Sequence, residues 1–171
     1  MIKLNPTSRA WLKSIHILLI GAWVGAACSM VLLQFVSHPK GGDELYAVNA
    51  TLKQIDDFMV IPTAIGSLLT GLLLSFLTPW GFFKWRWITL KWVLTLGVIL
   101  FGTFALGPWL NGMVDISATE RLAALQNPTY NQYHQMMTLF SSPQVSLLLF
   151  MVIISGIKPW GRSKKAVTKA N

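Results

Sequence analysis

The sequence predicts an all-α fold, a bundle of four transmembrane helices, and three observations predict it. Hydrophobic residues make up 53% of the 171 residues and charged residues only 12%, with a mean hydropathy of +0.53, a balance wrong for an ordinary soluble domain. Apolar runs recur that are long enough, at about 1.5 Å per residue, to cross a hydrocarbon core of about 30 Å. Basic side chains gather in alternate connections, as they do in a chain threaded through a bilayer.

The first run, from Trp11 to Val36, continues past Ala26-Ala27 without a polar break. It therefore reads as a retained span and not as a cleaved signal peptide. Cys28 lies in its middle as a small packing residue, and a single cysteine excludes a disulfide framework. The second run, from Phe58 to Thr78, is preceded by Asp56-Asp57, acids that favour a helix N-terminus. The third covers Ile88 to Leu110. The fourth, Ser142 to Ile157, is short, so its helix is expected to begin earlier, near Tyr130, as an amphipathic turn. Between the last two, Ser117 to Leu139 carries Ala118, Leu122, Leu125, Met136 and Met137 in a mixed pattern suited to a separate interfacial helix. Residues 1–161 thus form one membrane domain, and 162–171 form a basic tail without apolar pattern.

Charge sets the expected orientation. Lys3, Arg9 and Lys13 precede span one, Lys84 and Arg86 link spans two and three, and Lys158, Arg162, Lys164, Lys165 and Lys169 follow span four. Only Lys40, Lys53 and Arg121 fall on the other side, together with all the acids. Cytoplasmic connections keep Lys and Arg, so both termini are expected inside, in a bacterial cytoplasmic (inner) membrane. The formal charge of +8 is sorted by topology and not collected into a patch interleaved with aromatics, so nucleic acid is not an expected partner. Trp11, Trp80, Trp85, Trp87, Trp109 and Trp160 stand near span ends, where indoles anchor at the headgroups.

The halves echo each other with a period of about 80 residues: Leu12-Lys13 with Leu90-Lys91, Pro79-Trp80-Gly81 with Pro159-Trp160-Gly161, and Pro62 with Pro143. The echo predicts two parallel helical hairpins. Small residues mark expected contact faces: Gly21, Ala22, Gly25 and Ser29 on span one, Gly66, Ser67, Thr70 and Gly71 on span two, and Thr95, Gly102 and Ala105 beside Lys91 on span three.

Phosphate-binding, metalloprotease, dithiol and nucleophile-elbow motifs are missing, which removes the usual support for nucleotide chemistry and nucleophilic hydrolysis. Two ionisable residues fall inside spans, His16 about 7 Å and Lys91 about 5 Å beyond their starts. At one depth, they are suited to ligating a haem iron from two sides, to binding an anion, or to a proton path. Snorkelling of Lys91 and a hydrogen-bonded interfacial His16 are the bland alternatives. Outside the spans, His38, His134, Asp43, Glu44, Asp56 and Asp57 have the chemistry of a cation site but no tight ligand spacing.

The opening run Leu12-Lys13-Ser14-Ile15-His16-Ile17-Leu18, followed by Ala22-Trp23-Val24-Gly25, resembles the first span of several small bacterial multi-pass families. Over most of its length the chain resembles a group of predicted integral membrane proteins of unknown function. More distantly it is similar to the haem-containing membrane protoporphyrinogen oxidases and to the membrane domains of copper-resistance proteins. In the oxidases a span-one His and a Lys after a Trp at the start of span three go with b-type haem. His16, and Lys91 within Trp87-Ile88-Thr89-Leu90-Lys91, match those positions, and Met59 to Pro62 with Gly71 resembles the second span. A terminal Tyr-His pair on span three and an Arg near the start of span two are missing, which argues against the oxidase activity itself. The resemblance implies a haem-binding or redox-associated protein. A cofactor-free small transporter or accessory subunit, self-associating or bound to a membrane partner, is the alternative expectation.

Overall fold

The computed structural model describes residues 4–78 and 81–160. Lys3, Pro79, Trp80, Gly161 and the expected tail 162–171 lie outside them. The described chain is all-α, with four helices long and apolar enough to cross a membrane: α1 (Pro6–Val36), α2 (Gly42–Leu77), α3 (Arg86–Gln126) and α4 (Pro128–Ile157). They run up, down, up, down, so one end of the bundle, termed proximal, holds the start of α1, the end of α2, the start of α3 and the end of α4. The backbone N–H of Leu4 reaches the carbonyl of Leu77 there.

Local sequence explains the ends. Helices α1 and α4 both start with Asn-Pro: proline costs nothing at a first position whose N–H has no intrahelical partner, and asparagine caps the orphan donors behind it. Asn5 accepts from the Ser8 N–H at 2.7 Å, and Asn127 accepts from Thr129 at 2.9 Å and Tyr130 at 3.3 Å. Helix α4 ends where Lys158 turns left-handed at φ 52°.

Both middle helices are longer than the apolar runs predict, and both contain a π-turn, Asp56–Val60 in α2 and Gly102–Leu106 in α3. Each turn is followed by X-Pro, Ile61-Pro62 or Gly107-Pro108. A helical proline has no N–H and its ring crowds the carbonyl a turn earlier. The chain accommodates this by letting the preceding residue bond one position further back, Ile61 to the Asp56 carbonyl and Gly107 to the Gly102 carbonyl. Pro62 is therefore matched by Pro108. Pro143, its expected counterpart, sits inside uninterrupted α-helix.

Three expectations are corrected. No separate interfacial helix spans 117–139: α3 continues α-helical to Glu120, Arg121 takes φ 53°, a 3-10 turn (Arg121–Gln126) follows, and α4 begins at Pro128. The pattern Ala118, Leu122, Leu125 is thus split across a backbone reversal, with Ala124 buried while Leu122 and Leu125 are exposed. Because α3 runs on, Trp109 is no terminal anchor but packs with Phe101 and Phe140 at 6.1 and 5.9 Å between ring centres. Trp87 is likewise buried.

Layers of core fill the bundle. The distal layer joins Leu45, Leu52, Leu110, Met113 and Met137, the middle one Trp23, Ala64, Val98, Leu148 and Met151, and the proximal one Trp87, Ile88 and Ile154. Outside, large apolar side chains such as Leu18 and Phe104 are 72% and 76% exposed. A continuous coat of this kind is stable against lipid tails, not water.

At the distal end a polar knot ties three helices. The Asn49 amide donates to Ser117 Oγ at 3.0 Å and to the Tyr130 hydroxyl at 3.1 Å, and these residues are 2%, 0% and 2% exposed. Asn49→Ala removes both bonds and leaves a void. It is expected to cost about 2 kcal/mol in detergent unfolding, and a loss too small to measure would show that the knot is dispensable.

Candidate functional site

In the distal half, the Gly42–Ile55 part of α2 packs on the Gly107–Glu120 part of α3. In the proximal half, Ile61–Leu77 packs on α1 and Arg86–Phe101 packs on α4, and these two segments stand apart from each other. The gap is a cavity of about 450 Å³ whose lining includes both His16 and Lys91. The two residues singled out from the sequence thus line one cavity, reached from α1 and α3.

The face of α1 that looks inward is the one carrying His16, Ile20 and Trp23, all of which line the cavity. The expected Gly21/Gly25 contact face points the other way, and a Cβ at either glycine would meet nothing within 4 Å. Bulk explains the reversal: the gap between α2 and α3 needs large side chains to fill it, and the glycines are left for lipid. On α2 the expected small face does make the contact. A Cβ on Gly66 would stand 3.1 Å from Leu19, and one on Gly71 3.3 Å from His16 Cε1, so Gly71 makes room for the imidazole. On α3, Thr95 donates to Met151 Sδ at 3.5 Å, confirming that the Lys91 stripe faces α4.

One hydrogen-bond chain fixes the chemistry of His16. Its Nδ1 lies 2.8 Å from Thr70 Oγ1. The Thr70 hydroxyl is also within reach of backbone carbonyls, Gly66 at 2.7 Å and Ser67 at 3.2 Å, and when its one proton points there the oxygen accepts from the ring. In that arrangement Nδ1 carries the proton and Nε2 keeps its lone pair. A polar group that holds one ring nitrogen and leaves the other for a ligand is the arrangement found around metal-ligating histidines.

The rest of the lining is apolar and aromatic, with Trp23, Trp87, Ile88, Trp92, Leu148 and Met151, while Lys13 and Lys158 stand at the proximal rim. Sequence reasoning missed Thr70 as a partner of His16, because a helical threonine is most often bonded only to its own backbone. Lys13 was visible in the echo of Leu12-Lys13 with Leu90-Lys91.

A second cavity, of about 480 Å³, lies in the distal half. Trp23 and Leu148 line both cavities and form the layer between them. Of the distal acids with cation-site chemistry, three have local partners: Asp57 pairs with Lys53, Asp43 with Arg121 at 3.5 Å, and Glu44 accepts from the Lys40 N–H at 2.8 Å. Among the described residues no three of His, Cys, Asp and Glu come together to hold a metal ion. The chain matches no protein-family model, no curated protein and no solved structure.

Proposed function

We propose that the chain is a haem-binding, redox-associated protein of the bacterial cytoplasmic membrane, with His16 and Lys91 as the residues that hold the cofactor in the proximal cavity. The observation that carries the reading is His16, held through Nδ1 by Thr70 and lining an aromatic-walled cavity together with Lys91. A lone imidazole cannot hold a metal ion by itself, whereas a porphyrin brings the in-plane ligands and asks the protein for only one or two axial ones. Apolar walls suit the macrocycle, and Lys13 and Lys158 at the rim suit its two carboxylates. Bound there, the iron would supply one-electron chemistry, while the chain's residues orient it and exclude water. Both termini are read as cytoplasmic, on the basis of the basic residues at the proximal end.

Protein purified in mild detergent from haem-supplemented cells is expected to show a Soret band. A colourless, haem-free preparation would overturn the reading.

The second reading is a cofactor-free transporter or accessory subunit, favoured by the two cavities stacked on either side of Trp23 and Leu148. Cross-linking in native membranes separates the versions: a subunit gives one specific product, and exclusively monomeric protein rules the subunit out.

A further inference from the structure

We propose that the distal cavity is a second and separate site, which takes a small protonated organic amine with the Asp56 carboxylate as its counter-ion. The inference does not depend on haem, since it concerns different side chains on the other side of the Trp23–Leu148 layer.

The first argument is a charge count. Lys53, Asp56 and Asp57 occupy adjacent turns where α2 enters its π-turn, and Lys53 pairs with Asp57, not with Asp56. Lys53 and Asp56 both line the cavity, so the Lys53–Asp57 pair cancels and one negative charge is left facing it. The Asp56 side chain makes no hydrogen bond or ion pair among the described residues, and neither does that of Gln144, whose amide lines the same space. By contrast, the neighbouring Gln34 is fully engaged, donating to Thr138 at 2.8 Å and accepting from Ser141 at 3.3 Å. A carboxylate and an amide without side-chain partners on the wall of a cavity suit a ligand with N–H donors.

The second argument is the rest of the wall. Val60, Ile61, Ile65, Val98, Ile99 and Leu106 line it. A hard inorganic cation needs several oxygen ligands, commonly more than one carboxylate, and Asp56 is the one acid in this wall among the described residues. One carboxylate, the Gln144 amide and aliphatic walls instead match an ammonium group on an apolar body. Residues of both π-turns line the cavity, Asp56 and Val60 from α2 and Gly102, Thr103 and Leu106 from α3.

The test uses the full chain in dodecyl maltoside, titrated calorimetrically with phenethylammonium chloride, and phenethyl alcohol as the neutral counterpart. Saturable binding of the ammonium and only micellar partitioning of the alcohol are expected. Asp56→Asn is expected to weaken ammonium binding at least about tenfold, and exposed Asp43→Asn to leave it unchanged. Asp57→Asn serves as a second variant: it frees Lys53 to pair with Asp56 and is expected to weaken binding too, which also keeps the idea testable if Asp56→Asn fails to fold. Non-saturable uptake by the wild type, or ammonium binding unaltered in both variants, would overturn the site. The Soret spectrum, read on the same samples, should not change with Asp56→Asn, so failure of the haem reading and failure of this one are seen separately.

Discussion

Replacing His16 by alanine is expected to abolish the Soret absorbance of protein purified from haem-supplemented cells, and Thr70→Val to weaken haem retention by about 10- to 100-fold. The two effects follow from one hydrogen-bond chain. The alanine removes the only imidazole in the proximal cavity. The valine keeps the shape of Thr70 but takes away the oxygen 2.8 Å from Nδ1, so the ring loses both its tautomer and its orientation. Gly71→Ala adds a third handle without touching a polar atom, because its Cβ would stand 3.3 Å from His16 Cε1 and push the ring aside. A Soret band of full strength in His16→Ala would assign the haem to another ligand, and one unmoved by Thr70→Val would leave the hydroxyl a packing role alone.

Cysteine accessibility is expected to be all-or-none. In a Cys28→Ser background, cysteine at Gln126 should react with an impermeant thiol reagent added to intact bacterial cells whose outer barrier admits it, and cysteine at Ser163 should not. Gln126 is exposed at the distal end and is the better probe position there, because its neighbour Asn127 caps α4. The direction follows from charge. Described bases at the proximal end include Arg9, Lys13, Arg86 and Lys158, whereas two of the three distal bases are already neutralised locally, Lys53 by Asp57 and Arg121 by Asp43. Connections rich in Lys and Arg are retained on the cytoplasmic side, so the distal connections, which hold only Lys40, Lys53 and Arg121, are the ones expected to be translocated. Labelling at Ser163 with protection at Gln126 would turn the molecule over and put the haem cavity on the outer face.

The four spans were legible because apolar length and basic loops are properties of composition, which survive any detail of packing. His16 and Lys91 were legible because an ionisable group in an apolar run stands out wherever it points. The helix faces were less so. On α2, small residues do lie against α1, yet on α1 the same signal at Gly21 and Gly25 faces outward. A small residue permits close approach without requiring it, and the wide gap between Ile61–Leu77 and Arg86–Phe101 was filled instead by His16 and Trp23. The distal extensions escaped notice because Gly42–Ile55 and Gly107–Glu120 are only moderately apolar and gain their stability from each other through Leu45, Leu52, Leu110 and Met113. The polar character of the distal cavity was hidden for a related reason: Asp56 reads as a helix-start acid until α2 is seen to begin at Gly42.

A π-turn is, in the arithmetic of the gene, one surplus codon. Removing a single residue from 56–60 would let α2 run as plain α-helix, and everything after it would rotate by about 100° about the axis. Thr70 and Gly71 would swing away from His16 while every hydrophobic segment kept its length. A one-codon deletion there would leave a chain that still threads the membrane four times, and yet its two cavities would have lost their shared frame.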